Sequence, residues 1–388
     1  MKTDSKEKIF TSQFLFVFGA LFFTSLVMYL LMSPITEYAS DMGSSASIAG
    51  LASGIYVIGG LLSLMYSSHA LKTWGWKKTA YVFLTIHLLA CVLYFILDGI
   101  YGLLIARFIH GIGMGAGGAA IITIATPLFP KKRFGEAMGI FLLGTPLAVG
   151  IGPIIGSFLL DNFGAAYCFT SAILFAALAL LCMFAVEIRQ SNEEAEDTDR
   201  SKYKGIRKVF EPPAVPISIM AALLAMAYVA IISFYDLYAE QVSLVNEFQY
   251  FFIIYSIVLI AGRPLGGKIQ DKYGDWLVTV VPIVLQFIGI FLIAVHPSIL
   301  TIIICAVCTG FGFGTFYSIS NTMVARNATE ERSPYAISTF LIITDTALGF
   351  GPAFLGLFVV NGNYAFMFLV AALISLFALP LSYIALKR

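Results

Sequence analysis

The sequence predicts an all-α polytopic membrane protein, with twelve transmembrane helices in two pseudo-symmetric halves of six. Three observations carry that prediction. The 388 residues are 59% hydrophobic and only 12% charged, with a mean hydropathy of +0.90. A soluble domain carries about 25% charged residues, and so few polar groups cannot cover a water-soluble fold of this size. Twelve apolar stretches are long enough to span a bilayer, which takes about 20 residues each. The two halves also repeat each other at one constant offset. The net charge of +1 offers nothing that would draw nucleic acid.

In chain order the spans are predicted at 12–38, 45–68, 76–97, 99–126, 134–161, 164–187, 214–240, 246–270, 276–295, 297–325, 333–360 and 363–385. The first has no small-residue cleavage site after it and is expected to remain as a helix. Connecting loops are short except at 188–213, a polar stretch of mixed charge. It reads as a cytoplasmic linker between an N-terminal bundle (1–187) and a C-terminal bundle (214–388). Of the 23 Lys and Arg, only Arg107 and Arg263 lie deep within spans, away from their ends. The rest fall at the termini, in the linker, or on alternate loops and the span ends beside them: Lys72/Lys77/Lys78, Lys131/Lys132/Arg133, Lys268/Lys272 and Arg326/Arg332. The opposite loops hold none, which places both termini in the cytoplasm of a cell whose plasma membrane the chain crosses.

The offset is 199 residues. It joins Gly75 to Gly274, and Gly111, Gly113 and Gly115 to Gly310, Gly312 and Gly314. It also joins Gly152 and Pro153 to Gly351 and Pro352, Tyr29 to Tyr228, and Tyr56 to Tyr255. Span 1 maps to span 7 in the same direction, so the repeat is parallel. "GTPLAVGIGPIIG" at 144–156 could suggest a phosphate-cradling loop, but it sits inside an apolar span with no strand before it. Gly152 and Gly156 have small-xxx-small spacing and read as helix-contact surface, expected against span 8. Pro146 and Pro153 are expected to kink span 5.

With these motifs the chain resembles the major facilitator superfamily over its whole length. The family's G-x-x-x-D-x-x-G loop motif appears as "GKIQDKYG", with Gly267, Asp271 and Gly274, and in degenerate form as "SHALKTWG", with Lys72 at the aspartate position. The helix 4 motif R-x-x-x-G-x-G-x-G is "RFIHGIGMG", Arg107 to Gly115. The helix 5 pattern, "AVGIGPIIGS", is similar to that of drug–proton antiporters, with Ala148 and Ser157 for two family glycines. The resemblance implies alternating access, a central cavity faced by Arg107, and a role for that arginine in proton coupling. It also implies an inner gate in which the loop aspartate holds the cytoplasmic side closed. Arg263, Asp271 and Arg332 are expected to cluster there, while Lys72 reverses the charge of the first-half twin and is placed to attract Glu136.

Charges within a membrane are costly and mark function by default. Asp345 lies about twelve residues into span 11 and is the deepest carboxylate. It is the expected proton or cation site, with a fixed helix-holding role as the alternative. Glu37 pairs with Asp236 in the repeat, and Asp41 with Glu240, so each half carries an i, i+4 acidic pair at the outer end of its first helix. Four facing carboxylates would bias an outer gate by external pH; ordinary solvated acids are the alternative. His87 and Gln286 are expected to pack helices, while His110 is open.

Cavity candidates are Tyr29, Tyr56, Tyr228, Tyr235, Tyr255, Phe313, Phe316, Tyr317 and Asn321. They suit amphiphilic ligands with aromatic or cationic parts. The expected activity is proton-coupled export of a small organic molecule. A metallophore or siderophore exporter and an uptake carrier are the alternatives within the fold, and a multispan receptor or enzyme lies outside it. No catalytic cluster and no ATP-binding G-x-x-x-x-G-K-[ST] appears. No cofactor or metal is expected, and Cys305 and Cys308 read as small buried residues. Partners are the substrate, protons and the lipid bilayer, with a monomer expected.

Overall fold

The computed structural model describes residues 8–187, 210–329 and 332–386. Among the described residues, twelve helices are long and apolar enough to cross a membrane. They are α1 (Ser12–Asp41), α2 (Ala46–Trp74), α3 (Trp76–Ile96), α4 (Gly99–Leu128), α5 (Lys131–Phe163) and α6 (Ala165–Phe184), then α7 (Pro212–Gln241), α8 (Val245–Tyr273), α9 (Asp275–Val295), α10 (Ile299–Arg326), α11 (Ser333–Gly356) and α12 (Tyr364–Tyr383). Most of the predicted linker, 188–209, lies outside the described residues. Helix starts are marked by side-chain caps. Thr11 accepts from the Phe14 amide at 3.1 Å, Asn363 from that of Phe366 at 3.1 Å, and Ser298 and Thr301 cap each other's backbones. Gly75 and Gly274, repeat mates, turn the chain with φ of 81° and 76°, a region that disfavours any side chain.

The chain divides into two compact units: Met1–Pro34 with Ile58–Asn192, and Ile35–Val57 with Glu193–Arg388. In the first, α3 packs on α4, α1 on α5 and α6, and α3 on α6. In the second, α9 packs on α10, α7 on α11 and α12, and α9 on α12. The packing therefore repeats with a step of six helices.

Prolines set the interruptions. A proline ring displaces the carbonyl four residues before it. α1 breaks at Leu31, between the segments Ser12–Leu30 and Met32–Asp41, just before Pro34. α5 breaks at Leu143, just before Pro146, whereas Pro153 is carried inside the continuous segment Gly144–Phe163.

Bare glycine backbone makes the helix contacts. Gly152 and Gly156 lie on Tyr29 and Leu30 of α1, which corrects the expectation of a contact with the eighth helix. The reason is local. Pro34 removes the helical partner of the Leu30 carbonyl, and that carbonyl is directed at Gly156. Gly351, the mate of Gly152 (152 + 199), lies on Met226 and Val229 of α7. Gly113 lies on the His87 backbone, and its mate Gly312 lies on Gln286, which is itself 199 beyond His87. Gly115 meets Gly60 and Ser63, Gly314 meets Leu259 and Tyr255, and the Gly111 carbonyl faces Gly60. The repeat departs at one place. Gly310–Thr315 in α10 forms a π-turn, whereas the matching residues of α4 lie in regular α-helix.

Candidate functional site

In the first unit the polar groups gather between α3 and α4. Arg107 is fully buried. The Tyr94 hydroxyl lies 2.8 Å from His110 Nδ1. His110 Nε2 lies 3.5 Å from Cys91 Sγ, and the Cys91 thiol lies 3.3 Å from the His87 carbonyl oxygen. The rings of His87 and His110 are 4.4 Å apart, and Tyr94 stacks on Phe169 of α6 at 4.9 Å. Sequence reasoning singled out Arg107 but missed Tyr94 and Cys91. Their signal was spacing: Cys91 and Tyr94 are i, i+3 on one helix, Arg107 and His110 are i, i+3 on the next, and both pairs lie on contact faces.

In the second unit aromatic rings form a series across four helices. Phe251 and Tyr255 of α8 are 5.7 Å apart, and Tyr255 stacks on Tyr228 of α7 at 5.2 Å. Tyr228 stacks on Phe313 of α10 at 4.6 Å, followed by Tyr317 at 5.5 Å and Phe340 of α11 at 5.2 Å. The π-turn supplies Phe313, and such turns concentrate at functional sites. Tyr228, Tyr255 and Phe316 are buried, as is Tyr56. Tyr235 is buried against Phe248 and Phe252. Tyr317, Asn321 and, in the first unit, Tyr29 retain exposed surface.

Asp345 sits midway along α11 and is half-buried. Among the described residues it has no hydrogen-bond or ion-pair partner. Gln286 Nε2 donates to the Leu224 carbonyl at 2.7 Å, tying α9 to α7.

Of the two acidic pairs, the inner members are shielded: Glu37 is half-buried and Asp236 buried, while Asp41 and Glu240 are exposed. All four belong to the second unit, because residues 35–57 cluster there. Within that unit the start of α2 lies backbone to backbone on α11. Gly50 meets the Pro352 carbonyl, Gly54 that of Gly349, and Gly356 meets Ala46 and Ser47. The Ser53 and Ser233 hydroxyls are 2.9 Å apart, and Ser47 donates to the Ala353 carbonyl at 2.7 Å.

At the lysine-bearing ends, the side chains of Arg263 and Asp271 lie outside those described. Arg332 is buried and bonds Glu211 at 2.6 Å. It also donates to the Phe210 carbonyl at 3.0 Å and covers the Tyr335 ring at 4.4 Å. Arg326 grips both oxygens of Asp275 at 2.8 Å, a pair that the sequence did not suggest. Glu136, expected near Lys72, is bound by Arg133 at 2.7 Å. Lys72 is exposed. Among the described residues, no three His, Cys, Asp or Glu side chains are grouped to hold a metal.

Comparison with known proteins extends this picture. The family model for the Major Facilitator Superfamily matches residues 17–295 and 245–388. An uncharacterised MFS-type transporter of Methanocaldococcus jannaschii is 21% identical over 383 residues, covering 96% of this chain and 98% of its own length. The purine ribonucleoside efflux pump NepI of Escherichia coli is 24% identical over 159 residues, 41% of this chain and 39% of its own. Among solved structures, a mutant of the nucleoside transporter NupG superimposes with a TM-score of 0.76 at 14% identity, covering 97% of this chain and 99% of its own. A bacterial homologue of the human lysosomal transporter Spinster, inward-facing and unoccupied, gives 0.72 at 14% identity and 96% of each chain. At these identities the structural likeness is one of fold. Matched by the family model along nearly its whole length, this multi-pass membrane chain belongs to the major facilitator superfamily and is a transporter, not an enzyme.

Proposed function

We propose that the protein exports a small amphiphilic organic molecule in exchange for protons, by alternating access between its two six-helix halves. Asp345 carries this reading. An ionised carboxylate near mid-membrane costs about 2.5–3.5 kcal/mol on insertion scales. A carboxylate that held a helix in place would be fixed by a partner, and Asp345 has none among the described residues. It is a group kept for exchange.

Arg107 shares the coupling role. Glu37 and Asp236 bias the outer gate, and Lys72, Arg263, Asp271 and Arg332 form the inner one. The substrate meets Tyr29, Tyr56, Tyr228, Tyr235, Tyr255, Phe313, Tyr317 and Asn321. Rings already stacked at 4.6 and 5.2 Å favour a planar aromatic part, since a flat ligand can extend such a series. The names of NepI and NupG support a heterocyclic base as that part. The protein works as a monomer in the plasma membrane, with both termini in the cytoplasm.

The test uses everted vesicles with an acidified lumen, probed with a tritiated purine nucleoside and with ethidium. Proton release on adding either probe is expected, falling about tenfold or more in Asp345→Asn. Undiminished coupling in that variant overturns the assignment, and substrate movement in the opposite sense overturns export in favour of uptake.

A further inference from the structure

Where α2 turns into α3 at Gly75, the surface of the first unit is hollowed. An open pocket of about 360 Å³ is lined by Trp74, Gly75, Lys77, Lys78, Tyr81 and Val82. Each lysine stands over one of the rings. Lys77 Nζ lies 5.9 Å from the centre of Tyr81, and Lys78 Nζ 5.9 Å from that of Trp74. Both lysines are exposed, and among the described residues neither has a carboxylate or hydrogen-bond partner. An ammonium group offers three donors and no acceptor, so a pocket holding two of them suits an anion. The rings are held from behind: Tyr81 packs on Phe184 of α6 at 4.6 Å, and Trp74 on Phe83 at 6.1 Å and Tyr66 at 5.9 Å.

The helix-pair packing does not call for these groups. The repeat mates of Lys77, Lys78 and Tyr81 (each plus 199) are Trp276, Leu277 and Val280, and the mate of Trp76 is Asp275. The Asp275 carboxylate is bound by Arg326 at 2.8 Å and by Gln270 Nε2 at 2.9 Å. At this turn the second unit carries its own anion and a cation to match it. The first unit carries two cations and no acid.

The flank of the pocket says where the anion comes from. Phe184, against Tyr81, and Leu181, one turn deeper along α6, are exposed. On a membrane-spanning chain such a face lies against acyl chains, and Trp and Tyr sit at the level of the headgroups. Charge above and apolar surface below match an amphiphile, whereas a free phosphate would use only the lysines. A zwitterionic headgroup brings its own cation, which the lysines repel, so the fit is to a lipid of net negative charge.

We infer that this pocket binds the phosphate headgroup of an anionic phospholipid, with Lys77 and Lys78 as its charge partners, Trp74 and Tyr81 as its rim, and the α6 face as the bed of an acyl chain. The inference needs only that the chain sits in a bilayer; it is independent of the direction and coupling of transport.

The test is native mass spectrometry of the full chain purified in detergent and titrated with dioleoyl phosphatidylglycerol, with phosphatidylcholine of the same chains, and with inorganic phosphate. Phosphatidylglycerol is expected to bind at one copy more tightly than phosphatidylcholine. Its affinity should fall about tenfold in Lys77→Gln with Lys78→Gln, stay near that of the wild type in Lys77→Arg with Lys78→Arg, and stay near it in Lys131→Gln with Lys132→Gln, which removes the same charge from another loop. An unchanged thermal midpoint in each variant shows that folding is intact. Equal losses in the two glutamine doubles would reduce the effect to diffuse charge and overturn the site. Phosphatidylcholine bound as tightly as phosphatidylglycerol overturns the choice of an anionic lipid, and displacement of the lipid by equimolar inorganic phosphate overturns the lipid as occupant.

Discussion

At Gly156 the absence of a side chain does structural work, because a Cβ there would strike the Leu30 carbonyl. Gly156→Ala is expected to cost about 1–3 kcal/mol, the range for overpacking, and to lower the thermal midpoint in detergent. Gly118 has nothing near its would-be Cβ. Gly118→Ala should hold or raise the midpoint, since alanine favours a helix by about 0.5–1 kcal/mol. Equal midpoints for the two variants would refute the contact. The role of these glycines was legible in the sequence from their spacing inside an apolar run. Their partner was not, because the choice of α1 depends on Pro34 freeing a carbonyl in a different helix. The same limit applied to Tyr94. Phenols are common in membrane helices, and the facing His110 distinguishes this one.

Among the elements, the seam between the start of α2 and α11 is close enough that backbone meets backbone at three glycines. Ala49, in this stretch of α2, is fully buried. Gly54→Leu should force the seam open and raise labelling of an Ala49→Cys reporter by an impermeant maleimide about tenfold, as a population shift. Unchanged labelling would show that the seam tolerates bulk. Hydropathy disclosed all twelve helices, since length and apolar content suffice for that. It did not disclose the break at Leu31 or the π-turn at Gly310–Thr315, whereas the break at Leu143 falls where Pro146 was expected to kink the fifth span. The glycines of that π-turn match those of a regular α-helix residue for residue, so the glycine pattern alone does not distinguish the two.

For the molecule as a whole, the shielding of Glu37 and Asp236, against the exposure of Asp41 and Glu240, narrows the proposed outer pH sensor to the inner pair. On the proposed gate the two would repel when ionised and protonation would favour closure, so Glu37→Gln with Asp236→Asn should flatten the dependence of transport on external pH. A profile identical to wild type would refute the sensor. The 199-residue repeat revealed the doubling of the fold, and the packing follows it helix for helix. The division into compact units at Pro34 and Val57 had no counterpart in the sequence. It arises from which backbones touch, and the polar linker that marks the sequence boundary lies far from both positions.

Two helices can share a count and still differ in screw phase. The π-turn of α10 takes up one residue more than an α-turn without a matching insertion relative to α4, and each helical residue subtends about 100°. Tyr317 and Asn321 lie beyond it, so they are turned by about that angle from where their mates Gly118 and Ile122 would place them. Any substitution carried from one helix to the other by counting must slip by one position past Thr315, or it will land on the wrong wall of the helix.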